Sequence, residues 1–126
     1  MAKKILIVDD SSVVRRLIRS SIEEHTNWSV CGEAENGKIA VALVGELRPH
    51  LVILDLAMPV MNGLDAATEI SRIAPGTPMI MFTMHAPNRL REDAERVGIK
   101  YVFSKENGFG NNVLEAMREM LLRSAS

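Results

Sequence analysis

The sequence predicts one α/β domain, a doubly wound sheet of five parallel strands with five helices on its two faces. Two observations carry this reading. Short runs that are apolar at consecutive positions alternate along the chain with longer runs whose apolar residues recur at helical spacing. The short runs lack the polar alternate positions of a half-solvated strand, as expected where both faces are covered.

The first strand is read at Ile5 to Val8. A helix follows, with Val13, Val14, Leu17, Ile18 and Ile22 as its apolar stripe and Ser11 or Ser12 as N-cap. Trp28 to Cys31 form the second strand, and Ile39, Ala40, Leu43 and Leu47 the second stripe, capped by Asn36 and closed by Pro49. Leu51 to Leu54 form the third strand; Ala66, Ile70 and Ile73 mark a helix that the Pro75-Gly76 turn ends. Met79 to Phe82 form the fourth strand, followed by a narrow stripe of Leu90, Ala94 and Val97 between Pro87 and Gly98. Tyr101 to Phe103 complete the sheet, and Val113, Met117, Met120 and Leu121 mark the last helix.

A length of 126 residues fits a single domain spanning residues 1–126, with its core at about 3–122. Fifteen basic and sixteen acidic residues leave a formal charge of -1, so no positive field gathers nucleic acid or anionic lipid. No apolar run reaches the length of a membrane span, and the single cysteine, Cys31, has no internal partner. A cytoplasmic protein is therefore expected.

In an open parallel sheet, ligands bind beyond the carboxyl ends of the strands, where strand order reverses. Strand one ends in Asp9-Asp10, strand three in Asp55 and strand four in Thr83, and Lys105 follows strand five. Strand two ends in Gly32-Glu33, without comparable chemistry. Three crowded carboxylates repel one another, and a hard divalent cation with oxygen ligands relieves that repulsion. Mg²⁺ takes one or two carboxylates and completes its shell with water and phosphate oxygens. A lysine and a threonine can hold further phosphoryl oxygens, and a carboxylate can itself accept a phosphoryl group. Each residue alone has a plain structural reading as cap, turn or surface charge; together at consecutive strand ends they point to a site.

Ile5 to Ser11, Leu54-Asp55-Leu56-Ala57-Met58-Pro59-Val60-Met61-Asn62-Gly63, Phe82-Thr83 and Ser104-Lys105 resemble the receiver domains of two-component response regulators, a CheY-like family. The resemblance runs to about Leu122. It implies the flavodoxin-like strand order 2-1-3-4-5, with Asp55 as phosphoacceptor. It also implies Mg²⁺, or Mn²⁺ in its place, held directly by Asp10 and Asp55, by Asp9 mainly through water, and by the backbone carbonyl of Ala57. Thr83 and Lys105 would contact the phosphoryl group. The implied donor is a sensor histidine kinase or a phosphotransfer protein, and the output is a changed surface, homodimerisation being one form. The resemblance further implies that Ala57, Met84 and His85 would flank the path of a hydrolytic water. The chain departs from the family in carrying Val102 three places before Lys105, with Tyr101 facing the other side, so no aromatic switch is expected. Glu106, where a proline is frequent, follows Lys105.

Two other classes compete with this reading. A magnesium phosphatase with an aspartate nucleophile usually needs a second acid beside it and a substrate cap; here Leu56 follows Asp55 and no insertion forms a cap. A flavin carrier would need a phosphate loop after strand one and more than 4% aromatic residues. The chain reads as either a stand-alone receiver or the front of a larger regulator.

Elsewhere the sequence favours structural roles. Met79, Met81, Met117 and Met120 fall in core positions. Arg15, Arg16 and Arg19 read as a solvated basic face. Arg89 with Asp93, Arg91 with Glu95 and Glu92 with Arg96 are expected to pair along the fourth helix.

Overall fold

The structure is a computed structural model that describes residues 2–84 and 87–123. Its elements alternate as β1 (Lys4–Val8), α1 (Ser12–His25), β2 (Ser29–Ala34), α2 (Gly37–Leu47), β3 (Leu51–Leu54), α3 (Gly63–Ile73), β4 (Met79–Thr83), α4 (Leu90–Arg96), β5 (Ile99–Ser104) and α5 (Asn111–Arg123). A short 3-10 turn, Lys105–Asn107, joins β5 to α5. All strand pairings are parallel, in the order β2-β1-β3-β4-β5.

Alternate residues of the strands build two cores. Leu6, Val8, Val52, Leu54, Met79 and Met81 face α2, α3 and α4, meeting Ala40, Val44, Ala66, Ala67, Ile70, Leu90 and Ala94. Ile5, Ile7, Leu51, Ile53, Ile80 and Phe82 face α1 and α5, meeting Ile18, Ile22, Val113, Leu114, Met117, Met120 and Leu121. In β1, β3 and β4 the consecutive apolar positions are thus two alternating faces, each buried, whereas the edge strands β2 and β5 expose Ser29 and Lys100. The four methionines assigned to the core lie in it.

Ser11 and Asn36 cap α1 and α2 as the sequence suggests, accepting from the amides of Val14 and Ile39. Asn62 does the same for α3 through the amide of Asp65. No helix is long and apolar enough to cross a membrane.

Several expectations are corrected. On α1 only Ile18 and Ile22 of the stripe are buried; Val13 is 72% and Leu17 56% exposed. Five apolar positions over three turns made the stripe wider than the sheet face that α1 covers. Strand β2 begins after Trp28 and runs on to Ala34, so Glu33 lies within it. The i,i+4 pairs on α4 give way, among the described residues, to one contact of Arg96 with Asp93 at 3.4 Å. Arg15 and Arg19 are not simply solvated, because both close on Glu33.

Candidate functional site

The site forms where β1 and β3 lie side by side at the centre of the sheet. Val8 pairs with Leu54, and the amide of Asp55 donates to the carbonyl of Val8 at 2.9 Å. Asp9 and Asp55 therefore leave adjacent strands at the same height. Asp9 is 1% exposed and Asp55 5%, whereas Asp10 lies at the surface. Carboxylate oxygens of all three come within 4.8 Å of one another. All the donors are hard oxygens at the mouth of a parallel sheet, which suits a hard divalent cation.

Lys105 reaches into this cluster from the turn after β5. Its Nζ lies 2.6 Å from Asp9 Oδ2 and 3.2 Å from Asp55 Oδ2. The other oxygens of these acids are held by the backbone. The amide of Ser11 donates to Asp9 Oδ1 and that of Leu56 to Asp55 Oδ1, at 2.9 Å and 2.8 Å. Burial, reinforced by the Asp9 charge, pushes the Asp55 carboxyl above its ordinary range; Lys105 and the Leu56 amide oppose this without cancelling it. Burial alone would lower the pKa of the Lys105 ammonium, but its bonds and charge contacts with Asp9 and Asp55 outweigh that and hold it high.

The loop from Asp55 to α3 is fixed by close backbone packing. A Cβ on Gly63 would stand 2.1 Å from the carbonyl oxygen of Asp55, so only glycine lets α3 start there. The Gly63 amide donates to the carbonyl of Leu56 at 2.8 Å, and the Met61 carbonyl accepts from the Gly37 amide at 3.0 Å. Val60, 76% exposed, takes φ 71° at the centre of a γ-turn closed by the Met61 amide on the Pro59 carbonyl.

The residues singled out from sequence are thus only partly gathered. Asp9, Asp10, Asp55 and Lys105 share the cluster. Thr83 is buried at the end of β4, the strand beside β3. Ala57 is exposed two residues beyond Asp55, and Met84 is exposed after Thr83. His85 lies outside the described residues. Tyr101 and Val102 pack into opposite cores, as alternation requires. The described chain contains no cis peptide bond, so Glu106 follows Lys105 in trans.

Sequence reasoning missed the support that Glu33 gives the site. Its carboxylate pairs with Arg15 and Arg19, and Arg15 also donates to the Asp9 carbonyl at 2.6 Å. The signal was present as two arginines four residues apart and an acid near the end of a neighbouring strand.

The response regulator receiver domain family matches residues 5–118. The transcriptional regulatory protein YdfI of Bacillus subtilis is 40% identical over 103 residues, which are 82% of this chain and 48% of that protein. The chain thus spans about half the length of that relative. The chemotaxis protein CheY of Thermotoga maritima is 37% identical over 100 residues, covering 79% of this chain and 82% of its own. The crystal structure of the response regulator domain of Thermotoga maritima CheB is similar with a TM-score of 0.87 and 27% identity, over 96% of this chain and 97% of that one.

Proposed function

Since the chain belongs to the response regulator receiver domain family, a module of two-component signalling, we propose that it is a switch thrown by phosphorylation of Asp55. The observation that carries this is the placement of Asp55, a buried carboxylate at the end of β3 with a lysine ammonium 3.2 Å away and two further acids beside it. The donor is a phosphohistidine on a sensor histidine kinase or phosphotransfer protein. A carboxylate oxygen of Asp55 bonds to phosphorus as the phosphorus–nitrogen bond breaks, and the electron pair stays on the imidazole.

Asp10 and Asp55 would hold Mg²⁺, with Asp9 acting mainly through water and the Ala57 carbonyl adding a ligand. The bound ion supplies positive charge against the phosphoryl oxygens. Lys105, already between Asp9 and Asp55, turns to a phosphoryl oxygen, and the Thr83 hydroxyl donates to another. Both groups end neighbouring strands, so their movement draws in the ends of β4 and β5 and alters the surface around α4. A partner or a second copy of the chain reads that surface.

Acetyl phosphate with Mg²⁺ tests the reading. Intact mass should rise by one phosphoryl group, and Asp55→Asn should abolish the gain. Equal labelling of that variant would reject Asp55 as the acceptor.

A further inference from the structure

Helix α1 carries Arg15 and Arg19 four residues apart, and both guanidiniums close on the single carboxylate of Glu33 on β2. Arg15 Nε lies 2.8 Å from Glu33 Oε1. Arg19 donates to Oε2 from Nε at 2.9 Å and from Nη2 at 2.8 Å. Both oxygens of Glu33 are therefore occupied. Burial disfavours its charge, yet the two arginines outweigh this and hold its carboxyl below the ordinary range.

Arg15 has a second attachment that ties this cluster to the acidic site. Its Nη1 donates to the carbonyl oxygen of Asp9 at 2.6 Å. That carbonyl belongs to the peptide linking Asp9 to Asp10. Asp10 is exposed, and its carboxylate makes no hydrogen bond or ion pair with any described residue. Three carboxylates against the one ammonium of Lys105 leave the site negative. The arginine cluster is balanced by contrast, because Arg19 also reaches Glu23 at 3.5 Å and two cations face two carboxylates. A guanidinium released beside that surplus of negative charge relaxes toward it.

We infer that Glu33 is a positioning residue for the acidic site: it keeps Arg15 on the backbone of Asp9 and off the carboxylate of Asp10, which stays free for a divalent cation. This rests on the reading of the site as a Mg²⁺ site. Glu33 makes no hydrogen bond with any of the three acids, so its effect passes through Arg15. Anchoring by Glu33 and Asp9 together fixes both edges of the guanidinium. Without Glu33, the edge of Arg15 carrying Nε is unpaired within reach of the Asp9-Asp10 turn.

The test is a Mg²⁺ titration of the full chain by calorimetry, with thermal melting to verify that each variant is folded. Glu33→Gln should weaken Mg²⁺ binding roughly threefold to tenfold, the effect of one added cation competing at a partly solvated site. Glu33→Asp keeps the charge with a shorter reach and should weaken it less. Arg15→Met combined with Glu33→Gln should restore wild-type affinity or exceed it, because the competing cation is gone. A double variant as weak as Glu33→Gln would overturn the inference, since the loss would then come from displacement of β2. Wild-type binding that Glu33→Gln leaves unchanged would overturn it alone. No Mg²⁺ binding by the wild-type chain would remove the cation-site reading and this inference with it.

Discussion

Lys105 Nζ stands 2.6 Å from Asp9 Oδ2, nearer than its 3.2 Å approach to Asp55. One ammonium thus serves two buried carboxylates and sits against an acid that a divalent cation would also use. Removing it leaves buried like charges facing each other. Lys105→Met should lower stability in chelator by about 3 kcal/mol, in the range for breaking a buried pair. Added Mg²⁺ should then stabilise the variant more than wild type, read as the shift in denaturation midpoint. An equal shift in both would show that Lys105 and the cation do not compete.

Asp55→Asn tests the cost of burying that charge. Its carboxyl is raised by burial and by Asp9, so in the folded chain it holds its proton to higher pH than in the unfolded chain. Its contribution is most favourable in acid and is lost as pH rises through the raised value. In metal-free neutral buffer Asp55→Asn should melt at higher temperature than wild type. That gain should shrink as pH falls through the raised value toward the ordinary carboxylate range. A gain that grows on acidification would contradict the assigned direction.

Glu33 runs the opposite way. Its carboxyl is lowered because Arg19 and Arg15 outweigh the effect of burial. Its stabilisation is present above the ordinary carboxylate pKa and is lost as pH falls through the lowered value. Glu33→Gln should therefore be destabilised at neutral pH by about 1 kcal/mol, as expected for a partly exposed network. The difference from wild type should close in acid, which thermal melting across pH can follow.

Gly63→Ala places a Cβ where the carbonyl of Asp55 now lies, 2.1 Å away. Either α3 or the backbone of Asp55 must shift. A loss of about 3 kcal/mol is expected, at the upper end for overpacking. Acetyl-phosphate labelling should fall with it even below the melting temperature, because the displaced group is the proposed acceptor. Wild-type stability and labelling would show that the loop absorbs the methyl group.

Val60 is β-branched at φ 71° and mostly exposed, so it carries backbone strain with little burial in return. Asparagine tolerates that conformation better. Val60→Asn should raise stability by about 1 kcal/mol in denaturant melts. A neutral or lower value would mean that the surrounding loop, not the side chain, sets the energy of the turn.

Some of this was fixed by local pattern alone. Leu51 to Leu54 is apolar at every position and bounded by His50 and Asp55, and it forms the strand with those bounds. Ser11 and Asn36 act as caps because that role needs only a short polar side chain before a helical run. The carboxyl-end acids were legible for a related reason: in a parallel sheet every strand points the same way, so strand ends distant in sequence must meet at one edge.

Tertiary structure decided what depends on partners from other elements. Val13 and Leu17 read as core because spacing gives a helix its periodicity but not the width of the surface that covers it. Glu33 looked inert at the end of an edge strand until α1 laid Arg15 and Arg19 across it. Lys105 was placed on the phosphoryl group by resemblance; that it rests first on Asp9 follows from burying two like charges side by side, which demands a cation between them. The sequence by itself determined the elements, their alternation and the acids at the strand ends, since these follow from short-range periodicity and from strand direction. Which charges pair, and which apolar residues stay exposed, is settled by desolvation and contact across the sheet, and those exist only once the chain has folded.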